Sequence, residues 1–258
     1  MHRPLYLAAG VILIVTMNSH AWPGKNTGFL NKTIEIDGEE REYVVYLPAD
    51  YTPDTPWPLI MFLHGAGERG DDGLIQTEVG IGTAIRRHRD WFPAVVVMPQ
   101  CPEDLVWTDV RPHMEAILAA AREDYNIDPQ RIYLTGISMG GYGTWIWGAE
   151  KADTFAALLP ICGGGSALDL IGLSKGAPDL DVQAFQDRIK KLAALPIWAF
   201  HGADDDVVPP ARSEYMAQQV NNAGGQVKLT IFEDTGHNSW DQAYGMKEAI
   251  DWLLAQRK

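Results

Sequence analysis

The chain is poor in cysteine: Cys101 and Cys162 are the two it has in 258 residues. That count excludes a multi-bridge disulfide scaffold, and no Cys/His spacing resembles a zinc site. Basic residues are also few, 21 Lys and Arg against 34 Asp and Glu. A balance this acidic excludes binding of nucleic acid or an anionic membrane through bulk charge. There is no internal repeat, no low-complexity stretch and no Pro/Ser-rich linker to mark a second domain. A Gly-x-x-x-x-Gly-Lys phosphate loop is missing too.

The longest apolar run lies at the N-terminus. Arg3 gives a small positive region, Leu5 to Met17 is apolar, and Ser19-His20-Ala21 places small residues at the −3 and −1 positions of a cleavage site. The apolar run is shorter than the roughly 20 residues a spanning helix needs. Residues 1–21 therefore read as a signal peptide and residues 22–258 as the mature, secreted or periplasmic domain. Removing residues 1–21 takes Arg3 and no acid, leaving 20 basic against 34 acidic residues and a net charge of −14. An oxidising compartment permits a Cys101–Cys162 bridge. Both cysteines follow predicted strands with two others expected between them, so pairing would need inward-folding loops, and it stays open here.

What is present is an alternation of strand and helix. Phe29 to Ile36 and Glu40 to Leu47 flank Asp37-Gly38 as a β-hairpin. From residue 58 onward, continuous apolar runs (Leu59 to Leu63, Ala94 to Met98, Arg131 to Ile137, Phe155 to Ile161, Ile197 to Phe200, Val227 to Phe232) read as buried strands. Helices are expected near Thr77–His88, Met114–Tyr125, Tyr142–Glu150, Val182–Ala194, Pro210–Asn222 and Trp240–Gln256. The fold class is α/β: a mostly parallel, doubly wound sheet led by an antiparallel hairpin. Its functional loops lie at the carboxyl ends of the strands.

One segment carries the chemistry. In Leu134-Thr135-Gly136-Ile137-Ser138-Met139-Gly140-Gly141, a strand meets a helix through Gly-x-Ser-x-Gly. That context sets Ser138 on a sharp elbow with its Oγ exposed. A serine needs an adjacent base, and the base an orienting group. Two later strand-end loops supply candidates: His201-Gly202-Ala203-Asp204-Asp205-Asp206 and Gly236-His237. The order Ser…Asp…His suits an α/β-hydrolase. His237 has the flanking glycine, the loop position and the order for the base. His64 and His201 each precede Gly at a strand end, where a histidine bonds loop backbone. His88 lies on an Arg-rich face, and His113 opens a helix.

These pieces resemble the α/β-hydrolase serine esterases, in the phospholipase/carboxylesterase branch beside the polyhydroxybutyrate depolymerase-like and feruloyl-esterase-like enzymes. The resemblance spans residues 29–255. It is carried by Leu63-His64-Gly65-Ala66-Gly67-Glu68-Arg69-Gly70, Pro99-Gln100-Cys101-Pro102, Gly136-Ile137-Ser138-Met139-Gly140-Gly141, His201-Gly202-x-x-Asp205-x-x-Val208-Pro209 and Gly236-His237-x-Ser239-Trp240. It implies Ser138 as nucleophile, His237 as base and Asp205 as orienter, with Asp204 and Asp206 as competitors. Ala66 and Met139 would give the oxyanion-hole N–H groups, Gly65 and Gly67 letting the Ala66 loop approach. Glu68 and Arg69 would form an ion pair bracing that loop, or Arg69 would contact substrate. Trp107 and Trp240 are candidate platforms for sugar or aromatic esters, against a packing role for each. Residues 166–190 would form a partial lid or a surface excursion.

The expected activity is hydrolysis of carboxylic esters: acetyl or feruloyl groups on plant polysaccharide, or short-chain esters. No metal or organic cofactor is implied, and oligomeric state is left open. Two alternatives stand beside it. One is a peptidase-like hydrolase of the same fold; the other is a catalytically silent carbohydrate-binding protein.

Overall fold

The structure is a computed structural model that describes residues 27–36, 38–165 and 182–258. The signal-peptide reading, Asp37 of the hairpin turn and the 166–181 part of the expected lid lie outside the described residues. Among the described residues, eight strands form one sheet: β1 (Gly28–Ile36), β2 (Glu39–Leu47), β3 (Trp57–Leu63), β4 (Val95–Pro99), β5 (Ile127–Ile137), β6 (Ala157–Ile161), β7 (Ile197–Gly202) and β8 (Val227–Phe232). Their order is β1-β2-β4-β3-β5-β6-β7-β8. β1 pairs antiparallel with β2, and β2 antiparallel with β4. From β4 through β8 every pairing is parallel.

The sequence pattern explains this layering. β3, β4 and β6 carry apolar side chains on both faces and are buried along almost their whole length, as strands covered by helices must be. β1 alternates half-buried and exposed residues along the sheet edge. Among the described residues, seven α-helices cover the two faces: α1 (Ile81–Arg87), α2 (Arg111–Asp124), α3 (Met139–Glu150), α4 (Val182–Leu192), α5 (Ala211–Asn222), α6 (Trp240–Tyr244) and α7 (Lys247–Ala255). Residues of α2 to α5 join one core cluster with one face of the sheet, including Met114, Trp145, Ile189 and Val220. Residues of α1, α6 and α7 join the other, including Ile85, Tyr244 and Ile250. This is the doubly wound arrangement.

Three expectations need correction. The expected helix over 77–88 is only α1: Gly80 sits at φ 57°, a conformation that ends helical continuity, with the Phe62 ring where a Cβ would go. The single helix expected over 240–256 is two, because Gly245 favours helix weakly and Met246 adopts extended backbone. β5 begins at Ile127 rather than Arg131. Among the described residues no helix is long and apolar enough to cross a membrane.

Candidate functional site

Parallel strands bring their carboxyl ends to one edge, and the chemistry-bearing loops meet there. Ser138 joins β5 to α3 at φ 51° and ψ −116°, a left-handed region costly for a residue with a Cβ. Surrounding contacts hold it. Its N–H donates to the Ile161 carbonyl at 3.0 Å, and its carbonyl accepts from Tyr142 N–H at 3.0 Å. Glycine is required on either side of this elbow. A Cβ on Gly136 would lie 2.4 Å from the Gly140 carbonyl oxygen, and one on Gly140 only 1.9 Å from that of Leu63.

A line of hydrogen bonds runs from this serine into the fold. His237 Nε2 lies 2.9 Å from Ser138 Oγ. His237 Nδ1 lies 2.7 Å from Asp205 Oδ2. Asp205 is 5% exposed, and its Oδ1 accepts the N–H groups of Val207 and Val208 at 3.0 and 2.9 Å. The carboxylate is thus fixed by its own loop while one oxygen faces the histidine. Asp204 and Asp206 are exposed, so of the three competing aspartates it is Asp205 that meets His237.

The loop after β3 lies beside the serine, where a Cβ on Gly65 would come 3.6 Å from that of Ser138. Ala66 opens a short 3-10 turn, Ala66–Glu68, and Met139 opens α3. Their backbone N–H groups therefore have no intrahelical partner and are available to an incoming oxyanion. A Cβ on Gly67 would meet nothing within 4 Å, so the close approach expected of it rests on Gly65 alone. His64 ties this loop to the next: its Nδ1 donates to the Gly65 carbonyl at 2.6 Å, and its Nε2 accepts Cys101 N–H at 2.9 Å. Burial holds the His64 imidazole well below its ordinary pKa, at about 4.

Other expected site residues fall differently. Among the described residues Glu68 and Arg69 form no ion pair. Arg69 Nε donates to the Ala66 carbonyl at 3.0 Å, and Nη1 reaches the Leu105 carbonyl at 3.5 Å, so the guanidinium braces the loop through carbonyls instead. Burial raises the Glu68 carboxyl, partly offset by the backbone N–H groups of Gly65 and Glu68. Trp107 is not a substrate platform. It is 2% exposed, its indole N–H donates to the His64 carbonyl at 2.9 Å, and its ring meets the His64 ring edge-on. Trp240 is half-buried and packs edge-on against His237 with centroids 5.5 Å apart. His88 stacks on Trp91 rather than standing free. Cys101 and Cys162 are both free and buried, so the disulfide left open above does not form.

Two residues gained a place at the site that sequence reasoning did not give them. Cys162, at φ 41° after β6, puts its Sγ 3.3 Å from Ser138 N. His201 puts Nε2 3.1 Å from Asp205 Oδ2. The donor atoms of Cys162, Asp205 and His237 lie within 4.8 Å of one another, but the Asp205 carboxylate is engaged by two imidazoles and the Cys162 thiol is held protonated by burial.

Fold and site together define a serine hydrolase of the α/β-hydrolase class. Residues 93–246 match the dienelactone hydrolase family, and the chain belongs to that family. It is 25% identical over 241 residues to a probable feruloyl esterase C of Aspergillus niger, covering 89% of this chain and 79% of that one. It is 29% identical over 176 residues to a bifunctional acetylxylan esterase/xylanase of Neocallimastix patriciarum, covering 66% of this chain but spanning only 22% of that protein. Among solved structures, a thermostable esterase superposes with a TM-score of 0.75 at 34% identity, covering 89% of this chain and 63% of that one.

Proposed function

We propose that this chain is an exported serine esterase that cleaves acyl groups, acetyl or feruloyl, from plant polysaccharide, or short-chain esters of similar size. The observation that carries the reading is the hydrogen-bonded line Ser138–His237–Asp205 at 2.9 and 2.7 Å. Ser138 Oγ attacks the ester carbonyl carbon while His237 Nε2 takes its proton, and Asp205 holds the ring in the tautomer that leaves Nε2 free to accept. The carbonyl oxygen, now an oxyanion, is received by the Ala66 and Met139 N–H groups. The tetrahedral intermediate collapses as His237 returns the proton to the leaving alcohol. Water, deprotonated by His237, then attacks the acyl-enzyme, releasing the carboxylic acid and restoring Ser138.

Support for the substrate class comes from the relatives, two of which are named for feruloyl and acetylxylan ester cleavage. The half-buried Trp240 ring, packed edge-on against His237, supports a sugar or aromatic ring in the substrate. The test is hydrolysis by purified residues 22–258, with Ser138→Ala in parallel. Substrates are p-nitrophenyl acetate, butyrate and octanoate, methyl ferulate and acetylated xylan. Ser138-dependent turnover of acetylated xylan or methyl ferulate is expected. Turnover restricted to octanoate would rule out the polysaccharide-ester assignment, and hydrolysis that survives Ser138→Ala would rule out the mechanism.

A further inference from the structure

Asp205 is held by two histidines, and the mechanism above uses only one. On the other side of the carboxylate stands His201, at the end of β7, with its side chain wholly buried. Its Nε2 lies 3.1 Å from Asp205 Oδ2 and 2.8 Å from the Val208 carbonyl. Its Nδ1 lies 2.7 Å from Ser213 Oγ, which in turn lies 2.9 Å from the Gly163 carbonyl.

Proton bookkeeping fixes the ring. A carbonyl and a carboxylate oxygen only accept, so an Nε2 lying between them must carry a proton. The single Ser213 hydroxyl proton then goes to Nδ1 when the ring is neutral, or to the Gly163 carbonyl when the ring is charged. Burial lowers the pKa of this imidazole, opposed by the Val208 carbonyl and the Asp205 carboxylate, which favours the neutral ring. In either state Nε2–H points at Asp205.

We propose that His201 is a positioning residue for the Ser138–His237–Asp205 line. Its Nε2–H, shared between Asp205 and Val208, orients the carboxylate and draws off part of the negative charge that His237 would otherwise feel. This rests on the serine-esterase reading above. The same hydrogen bond pins both ends of the 205–208 loop to β7, so one ring sets both the place of the carboxylate and its strength as an acceptor. His201 faces Asp205 and His237 as its titratable neighbours, and Cys162 faces the same carboxylate. Asp204 and Asp206 of the loop are exposed.

The sign of the effect follows. Without the His201 donor, Asp205 presents more negative charge to His237 and favours its protonated form. The acid limb of kcat/KM, which reports the free base, then moves to higher pH. In His201→Leu, kcat/KM at neutral pH should fall about 10- to 100-fold, the range for losing a residue that orients a site ligand. The acid limb should rise by about half a pH unit or more, a shift that a neighbouring charge readily produces. His201→Gln can place an amide N–H near the old Nε2, and it should return the limb toward wild type even if rate is only partly recovered. An unmoved limb in both variants, with folded protein and intact wild-type turnover, would overturn the proposal.

A second readout needs no variant. In wild-type protein labelled with ¹⁵N-histidine, His201 should show a protonated Nε2, and an unprotonated Nε2 would overturn the proposal even if every variant failed to fold. Wild-type turnover is compared first with Ser138→Ala. No wild-type turnover, or turnover that survives Ser138→Ala, would sink the esterase reading, while the tautomer measurement would still decide the role of His201.

Discussion

At the residue scale, the loop over 204–206 offers a choice that geometry resolves by burial. Three consecutive aspartates share composition and neighbourhood, but only Asp205 turns inward to two backbone N–H groups and two imidazoles. Asp205→Asn should lower kcat by about 10³- to 10⁴-fold, because an amide stabilises the wrong His237 tautomer. Asp204→Asn should leave kcat within about twofold, as expected for an exposed side chain away from the reacting atoms. Steady-state kinetics on one soluble ester decide this, and equal losses would defeat the assignment. The resemblance to the family pattern His-Gly-x-x-Asp-x-x-Val-Pro is what singled out Asp205 in the sequence. The second partner of Asp205 was not legible there, since a histidine before glycine at a strand end reads only as a loop anchor.

His64 gives a residue-scale prediction about pH. Its imidazole is buried and neutral with a folded pKa of about 4, against about 6.5 when unfolded. The unfolded chain therefore binds a proton that the native state refuses. The stability this group contributes is complete above pH 6.5 and is lost as pH falls through that value towards 4. Its share is on the order of 3 kcal/mol. Urea midpoints between pH 7.5 and 4.5 should fall more steeply for wild type than for His64→Gln. Parallel slopes would show that His64 is not the group responsible.

At the element scale, the strand–elbow–helix unit depends on backbones touching. Gly140→Ala would drive its Cβ into the Leu63 and His64 carbonyls at the end of β3. A strained, overpacked site of this kind should cost about 3 kcal/mol or more, or about 6–12 °C in Tm for a domain this size. Gly67→Ala meets open space and should change Tm by no more than about 2 °C, the scale of a neutral surface substitution. Calorimetry on the pair separates close approach from a general intolerance of the loop to side chains.

The strands were legible because runs such as Leu59 to Leu63 and Val95 to Met98 are apolar on both faces. α3 was legible only through its motif. Every residue from Met139 to Ala149 is buried, so it has no polar face and no 3.6-residue pattern to read. The break between α6 and α7 was hidden because the apolar residues continue past Gly245. The short extent of α1 was hidden because the limiting contact, Gly80 against Phe62, is tertiary.

At the scale of the whole molecule, a doubly wound sheet brings Ser138, Asp205 and His237 to one edge and buries both thiols. Desolvation pushes both Cys101 and Cys162 up to about 12, which leaves almost no thiolate at neutral pH. Native protein should therefore react with a thiol-exchange reagent far more slowly than unfolded protein, which should yield two thiols. Reductant should not change Tm. A yield of no thiols after unfolding without reductant would show that the pair is bridged.

The chain order Ser138, Asp205, His237 was enough to expect these three side chains on one strand-end edge, and there they meet. What substrate that edge accepts is written in the surface around it, and there Trp107 misled. Its position in a strand-end loop suggested a platform, while its size and apolarity served the core. The central claim, a nucleophilic serine at position 138, is tested most directly by labelling with an alkyl fluorophosphonate followed by peptide mass spectrometry. A single adduct on Ser138, absent in Ser138→Ala, is the predicted result. Folded wild-type protein that stays unlabelled, or carries the adduct on another residue, would contradict it.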